Sequence, residues 1–392
     1  MSADTVTKVT RESWFSRIGG AFKGIAVGVL LVLAAVVLLF SNEGRAVKRD
    51  RALGEGSGIV VSVESDRVDP ANEGALVHVT GQAATTATLT DPVFGVSARA
   101  LKLARSVEMY QWQESAQSET KDKVGGGQET VTTYTYTKDW SSTAVDSAGF
   151  QEPAGHENPG AMPYEAEEQI AEPVTLGAFT LSPSLVGRIN DFEPLQLPAG
   201  TAIPAALKGR ARVQGTSFYI GQNPSAPQVG DVRVTFSVVL PAEVSVVSKQ
   251  VGDSFKPYET KNGQTIELLE SGAVSAAAMF ETAEKSNTVL TWVLRVVGFL
   301  VMALGFGMTL RPLSVIADVI PFVGNIVSAG TGFISFMAAA AISLTTISIA
   351  WVFYRPLIGL AIFAVVIGLT VAIVLKLQSA KKTRPAPASA EG

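Results

Sequence analysis

The stretch IVSAGTGFISFMAAAAISLTTISIAWVF, residues 326–353, runs for 28 positions without a charged side chain. A helix needs roughly 20 apolar residues to cross the hydrocarbon core of a bilayer, and this run exceeds that. Three more stretches read the same way. Residues 18–40 (IGGAFKGIAVGVLLVLAAVVLLF) hold one charge, Lys23. Residues 288–310 hold one, Arg295, and residues 357–375 hold none. The fold class expected is a membrane α-helical protein with four transmembrane helices, at 18–40, 288–310, 326–353 and 357–377. A cleaved signal peptide is the alternative for the first. Its uncharged run, 24–40, is longer than the roughly 7–15 residues of a signal core, and the exit Phe40-Ser41-Asn42-Glu43 lacks the small-x-small pattern of a cleavage site.

Composition agrees. The chain has 392 residues, is 47% hydrophobic and only 17% charged, against about 25% charged in soluble domains. With no cysteine and two histidines, it offers no disulfide, thiolate metal site or cysteine nucleophile. A net charge of −4 gives no electrostatic footprint for nucleic acid. No cofactor is implied.

Between the first two spans, residues 44–287 have ordinary polarity and a net charge of −10, whereas residues 1–23 carry +2 and 376–392 carry +3. Basic flanks stay in the cytoplasm. Residues 1–17 and 378–392 are therefore expected to be cytoplasmic tails, the second disordered, with residues 44–285 on the far side. Arg45, Lys48, Arg49 and Arg51 oppose this, and the three C-terminal spans with their basic tail outweigh them.

Residues 44–285 read as a β-rich α+β domain. Segments such as Gly58-Ile59-Val60-Val61-Ser62-Val63, Ala75-Leu76-Val77-His78-Val79 and Asp231-Val232-Arg233-Val234-Thr235-Phe236 alternate or are β-branched between turn residues. Pro241-Ala242 is expected to close a hairpin between the strands on either side. Residues 274–285 read as a helix running into the second span. A weak echo suggests two repeated units: strands opening near 75 and 231 are each followed by a second, at 107–113 and 243–250. Convergent β patterning explains it as well.

Several strings resemble the transmembrane protein 43 family, also called LUMA. They are Ser41-Asn42-Glu43-Gly44-Arg45-Ala46, Val107-Glu108-Met109-Tyr110-Gln111-Trp112, Pro257-Tyr258-Glu259-Thr260 with Ile266-Glu267-Leu268-Leu269 and Ala278-Met279-Phe280, and Thr345-Thr346-Ile347-Ser348-Ile349-Ala350-Trp351-Val352-Phe353-Tyr354-Arg355-Pro356. The resemblance covers about residues 40–375. It implies, for animal members, the endoplasmic reticulum and inner nuclear membrane, association with lamins and emerin-type proteins, and envelope organisation; it implies no catalytic site. Residues 44–287 lack both a cysteine and an Asn-x-Ser/Thr sequon with x other than proline, which directs the reading to a bacterial member in a plasma membrane.

Candidate functional residues are few. Arg295 lies inside the second span, where a charge is functional unless it snorkels to the headgroups; snorkelling is preferred, and Asp318, across the membrane, is not expected to pair with it. Residues 311–325 are read as a cytoplasmic-side interfacial segment, with a re-entrant piece as the alternative. Small residues recur every four positions: Gly20, Gly24 and Gly28; Thr331, Ser335, Ala339 and Ser343; Ala364, Gly368 and Ala372. Such faces let helix backbones approach, although the hydroxyls of the middle set would also suit a pore. The acidic groups Glu64, Asp66 and Asp69, and Glu165, Glu167 and Glu168, lack a catalytic partner and read as solvated. The expected role is a membrane scaffold that displays its β-rich domain and assembles with itself or with other membrane or envelope proteins in the lipid bilayer. An ion channel built by the C-terminal helices is the alternative.

Overall fold

The computed structural model describes residues 4–198 and 201–356, which form two compact units. The β-rich unit comprises the N-terminal residues through Ser13 and Arg51–Lys285. The helical unit comprises Trp14–Asp50 and the described residues from Ser286 onward.

Eleven strands frame the β-rich unit: β1 (Asp4–Glu12), β2 (Val61–Val63), β3 (Leu76–Ala84), β4 (Lys102–Asp122), β5 (Gln128–Ser141), β6 (Ala211–Gln214), β7 (Ser217–Ile220), β8 (Val232–Val239), β9 (Ala242–Val251), β10 (Ser254–Lys256) and β11 (Leu268–Ser271). One sheet runs β1-β5-β4-β8-β7-β6, with two short strands beside it. The other joins β11, β9 and β10 through two short strands to β3 and β2, and also pairs β9 with β3. In β8, Val232, Val234, Phe236 and Val238 are buried and the residues between them are half-buried, the period-2 pattern of a sheet with one face on a core. They pack with Phe94, Val107, Met109 and Phe218. Val77, Val79, Phe179, Val244 and Phe255 fill a second core.

The expected hairpin at Pro241-Ala242 does not form. β8 pairs with β4 and β9 pairs with β3, so the chain changes sheets at Leu240-Pro241. The echo noted above takes on a geometric meaning here: the second strand of each half pairs antiparallel with the first strand of the other.

The acidic residues 165–168 are not simply solvated. Lys102 is buried, and its Nζ donates to the Gly187 carbonyl (2.8 Å) and Asn190 Oδ1 (3.1 Å) and pairs with Glu168 (3.1 Å). Arg105 is bonded to Asp91 and to Glu167. Buried cations require such partners.

Residues 4–12 are not a free tail but strand β1, antiparallel to β5. Their Thr/Val alternation suits a ladder. The basic residues that suggested a cytoplasmic tail act within it: Arg11 pairs with Glu129 (2.8 Å) and Lys8 donates to Gln151 (3.0 Å). His156, stacked on Tyr136, sits 3.0 Å from Asp4. Burial disfavours its charge, but Asp4 and the Glu152 carbonyl outweigh that and raise its pKa.

Among the described residues there are four α-helices: α1 (Trp14–Ile59), the single turn α2 (Pro183–Val186), α3 (Ala276–Ala317) and α4 (Pro321–Tyr354). Three of them, α1, α3 and α4, are long and apolar enough to cross a membrane. The fourth span, expected at 357–377, and the tail 378–392 lie outside the described residues. The spans are continuous with their flanks because nothing between 276 and 311 breaks the helix. Residues 311–317 extend α3 through Pro312, and 321–325 open α4, so 311–325 is not a separate interfacial helix.

The main chain leaves the β-rich unit after Ser13 and re-enters it at Arg51. One bilayer crossing by α1 would part β1 from β5, so ladder and crossing make opposite demands on residues 4–12. The register sets Thr7 opposite Thr133, close enough for a disulfide, in a chain with no cysteine of its own. Thr7→Cys/Thr133→Cys is expected to form an intramolecular cross-link in native membranes, read as a gel shift reversed by reductant; its absence would place β1 apart from β5.

Candidate functional site

Glu43, Arg295 and Trp351 converge at one end of the helical unit. Arg295 donates from Nε to Glu43 Oε1 (2.7 Å) and from Nη2 to Oε2 (2.9 Å), a bidentate pair. Trp351 Nε1 donates to Oε2 at 2.8 Å. The guanidinium lies over the Trp292 ring, 4.7 Å from its centroid. The Glu43 side chain is 4% exposed and that of Arg295 16%. A buried carboxylate on α1 therefore neutralises Arg295.

A polar ladder continues from this pair. Asn287, Thr291 and Arg295 recur every four residues and so share one face of α3. Arg45 donates to Asn287 Oδ1 (3.0 Å), Thr291 Oγ1 (3.0 Å) and Asn42 Oδ1 (3.1 Å), and Asn42 donates to the Thr291 carbonyl (3.0 Å). Gly44 lets the Tyr354 ring approach beside it: a Cβ there would lie 2.6 Å from the ring.

A second pair closes the other end. Arg17 bonds to Asp318 at 2.5 Å, with Trp14 donating to the Val315 carbonyl at 2.8 Å. Asp318 is thus partnered, though not by Arg295, and α1 and α3 run antiparallel. Along α1, Arg17 and Glu43 are about 39 Å apart at 1.5 Å per residue, somewhat more than the roughly 30 Å hydrocarbon core of a bilayer. The two pairs bracket the apolar run, which places their desolvated charges near its ends.

Between them the helices meet through small residues, but not evenly along the expected stripe. A Cβ on Gly28 would lie 2.5 Å from the Gly305 carbonyl, and one on Gly305 2.7 Å from the Gly28 carbonyl. Gly24 makes only ordinary contact and Gly20 faces open space, so Gly28 alone of the three mediates the crossing. On α4, Ser335, Ala339 and Ser343 are buried. Ser335 donates to the Thr331 carbonyl (2.8 Å), and Ser343 lies 3.4 Å from the Met302 sulfur, so these hydroxyls are engaged within the packing. Ala364, Gly368 and Ala372 lie outside the described residues.

Neither Glu43, Gly44 nor Gly305 stands among the candidate functional residues read from the sequence. The pairing had a legible signal: an isolated acid just past one apolar run and an isolated base near the start of another.

Removing one member of a buried pair leaves the other uncompensated, at about 3–5 kcal/mol. Glu43→Gln is expected to lower thermal stability in detergent by that order, and Glu43→Leu/Arg295→Leu to recover most of the loss. Gly28→Leu should cost about 1–3 kcal/mol through overpacking, whereas Gly20→Ala should stay within about 0.5 kcal/mol; size-exclusion profiles and melting curves report both.

The sequence profile of the family described as Transmembrane protein 43 matches residues 109–356. The chain is 38% identical to the rat protein named Transmembrane protein 43 and 36% identical to the human one, in each case over 90% of both chains. It is 30% identical to the Drosophila melanogaster Transmembrane protein 43 homolog, covering 85% of this chain and 89% of that one. No solved structure matches.

Proposed function

The chain belongs to the Transmembrane protein 43 family of membrane proteins, and from its helical clamp we propose that it is a membrane scaffold that displays its β-rich unit and assembles with itself or with partner membrane proteins. The observation that carries this reading is the Glu43–Arg295–Trp351 junction. It fixes the relative register of three helices, the best-attested use of a buried ion pair. Large apolar side chains on the outer faces, among them Leu30, Leu304, Phe333 and Leu344, supply surface for lipid and for further helices. The Ser335 and Ser343 hydroxyls are already engaged, by the Thr331 carbonyl and the Met302 sulfur, which supports a scaffold over a conducting pore. The basic residues 376–392 support a cytoplasmic C-terminus. The sequon-free, cysteine-free residues 44–287 support a bacterial plasma membrane.

The full chain, purified and reconstituted in liposomes, is expected to pass no ions above background and to run as an oligomer in mild detergent. A reproducible single-channel current altered by Arg295→Ala or by a bulky residue at Ser335 would overturn the scaffold reading, since charge and width at a constriction set permeation.

A further inference from the structure

We propose that a groove between α3 and α4 binds an anionic phospholipid, with its phosphate on Arg311 and one acyl chain lying along the groove. The groove encloses about 420 Å³, within the range of small-molecule sites. Leu300, Leu304, Gly307 and Arg311 line it from α3 and Gly332 and Phe336 from α4. The α3 residues are spaced four, three and four apart, so they form one row on a helix face, roughly 16 Å long. Leu304 is 64% exposed and Phe336 51%, so the groove opens outward rather than into the helical core. Ser335, also on its wall, already donates to the Thr331 carbonyl and leaves the channel apolar.

The end of the row differs in kind. Arg311 is exposed and, unlike Arg17 and Arg295, has no carboxylate partner among the described residues. A cation thus stands at the mouth of an apolar channel. An anionic phosphodiester suits this arrangement: its phosphate meets Arg311 and its acyl chain follows the apolar row. Phosphatidylglycerol has that chemistry. Phosphatidylcholine, zwitterionic, does not. Basic pockets between membrane helices select anionic headgroups in this way.

The test uses the full-length protein in mild detergent. Thermal stability and lipid retention by native mass spectrometry are followed with added phosphatidylglycerol or phosphatidylcholine. Wild type should retain phosphatidylglycerol about fivefold better, the ratio that one basic residue near an anionic surface supplies. Arg311→Gln should lose that preference, Arg311→Lys should keep part of it, and Gly332→Phe, which fills the groove, should lower retention of both lipids; all three should elute as wild type does. Equal retention of the two lipids by wild type, or an unchanged preference in Arg311→Gln, would overturn the proposal. So would stabilisation reproduced by inorganic phosphate alone, because the acyl chain would then contribute nothing.

Discussion

A carboxylate at the end of a long apolar run must be neutralised where it sits, and in this chain Arg295 does so. The bidentate geometry consumes both oxygens of Glu43, and Trp351 adds a third donor. The pair works as a register device. Sliding α3 by one turn along α1 would move Arg295 about 5.4 Å away, leave two desolvated charges apart and carry Gly305 off Gly28. Arg17 and Asp318 impose the same condition at the other end. Two fixed points on antiparallel helices leave neither translation nor rotation free, and the small-residue crossing between them follows from that alignment.

The β-rich unit uses charge differently. Lys102 and Arg105 are three residues apart on β4, and both are enclosed by acceptors from distant segments: Asp91, Asn190, and the strip 165–168. These contacts pin otherwise irregular connections against the sheets, which bury their own apolar faces by alternation.

The legible parts of the sequence were those governed by local pattern. Long uncharged runs gave α1, α3 and α4, and alternation gave β3, β8 and β9. What failed depended on partners far along the chain. Pro241-Ala242 has the look of a hairpin, but β8 and β9 each find a better mate more than a hundred residues away. Residues 4–12 carry the charge of a tail, yet their β-branched alternation forms a ladder with β5. Arg295 was visible as an isolated charge and Glu43 as an acid just past the first apolar run, but that the two meet depends on the tertiary register of the helices. Gly28 could not be told from Gly20 by spacing alone; only the approach of Gly305 separates them.

The crossover between sheets has a consequence for biosynthesis. β3 has β9 as its long antiparallel neighbour, with Leu76 opposite Lys249, so the strand emerges from the ribosome well before its mate exists. At about 5–20 residues per second, the interval is roughly 10–30 s. Throughout that time the edge of β3 that β9 will cover has no partner for its amides. Long-range pairing of this kind is slow to form and prone to aggregation until it does. The nascent chain therefore has to keep β3 from pairing wrongly until β9 has been made.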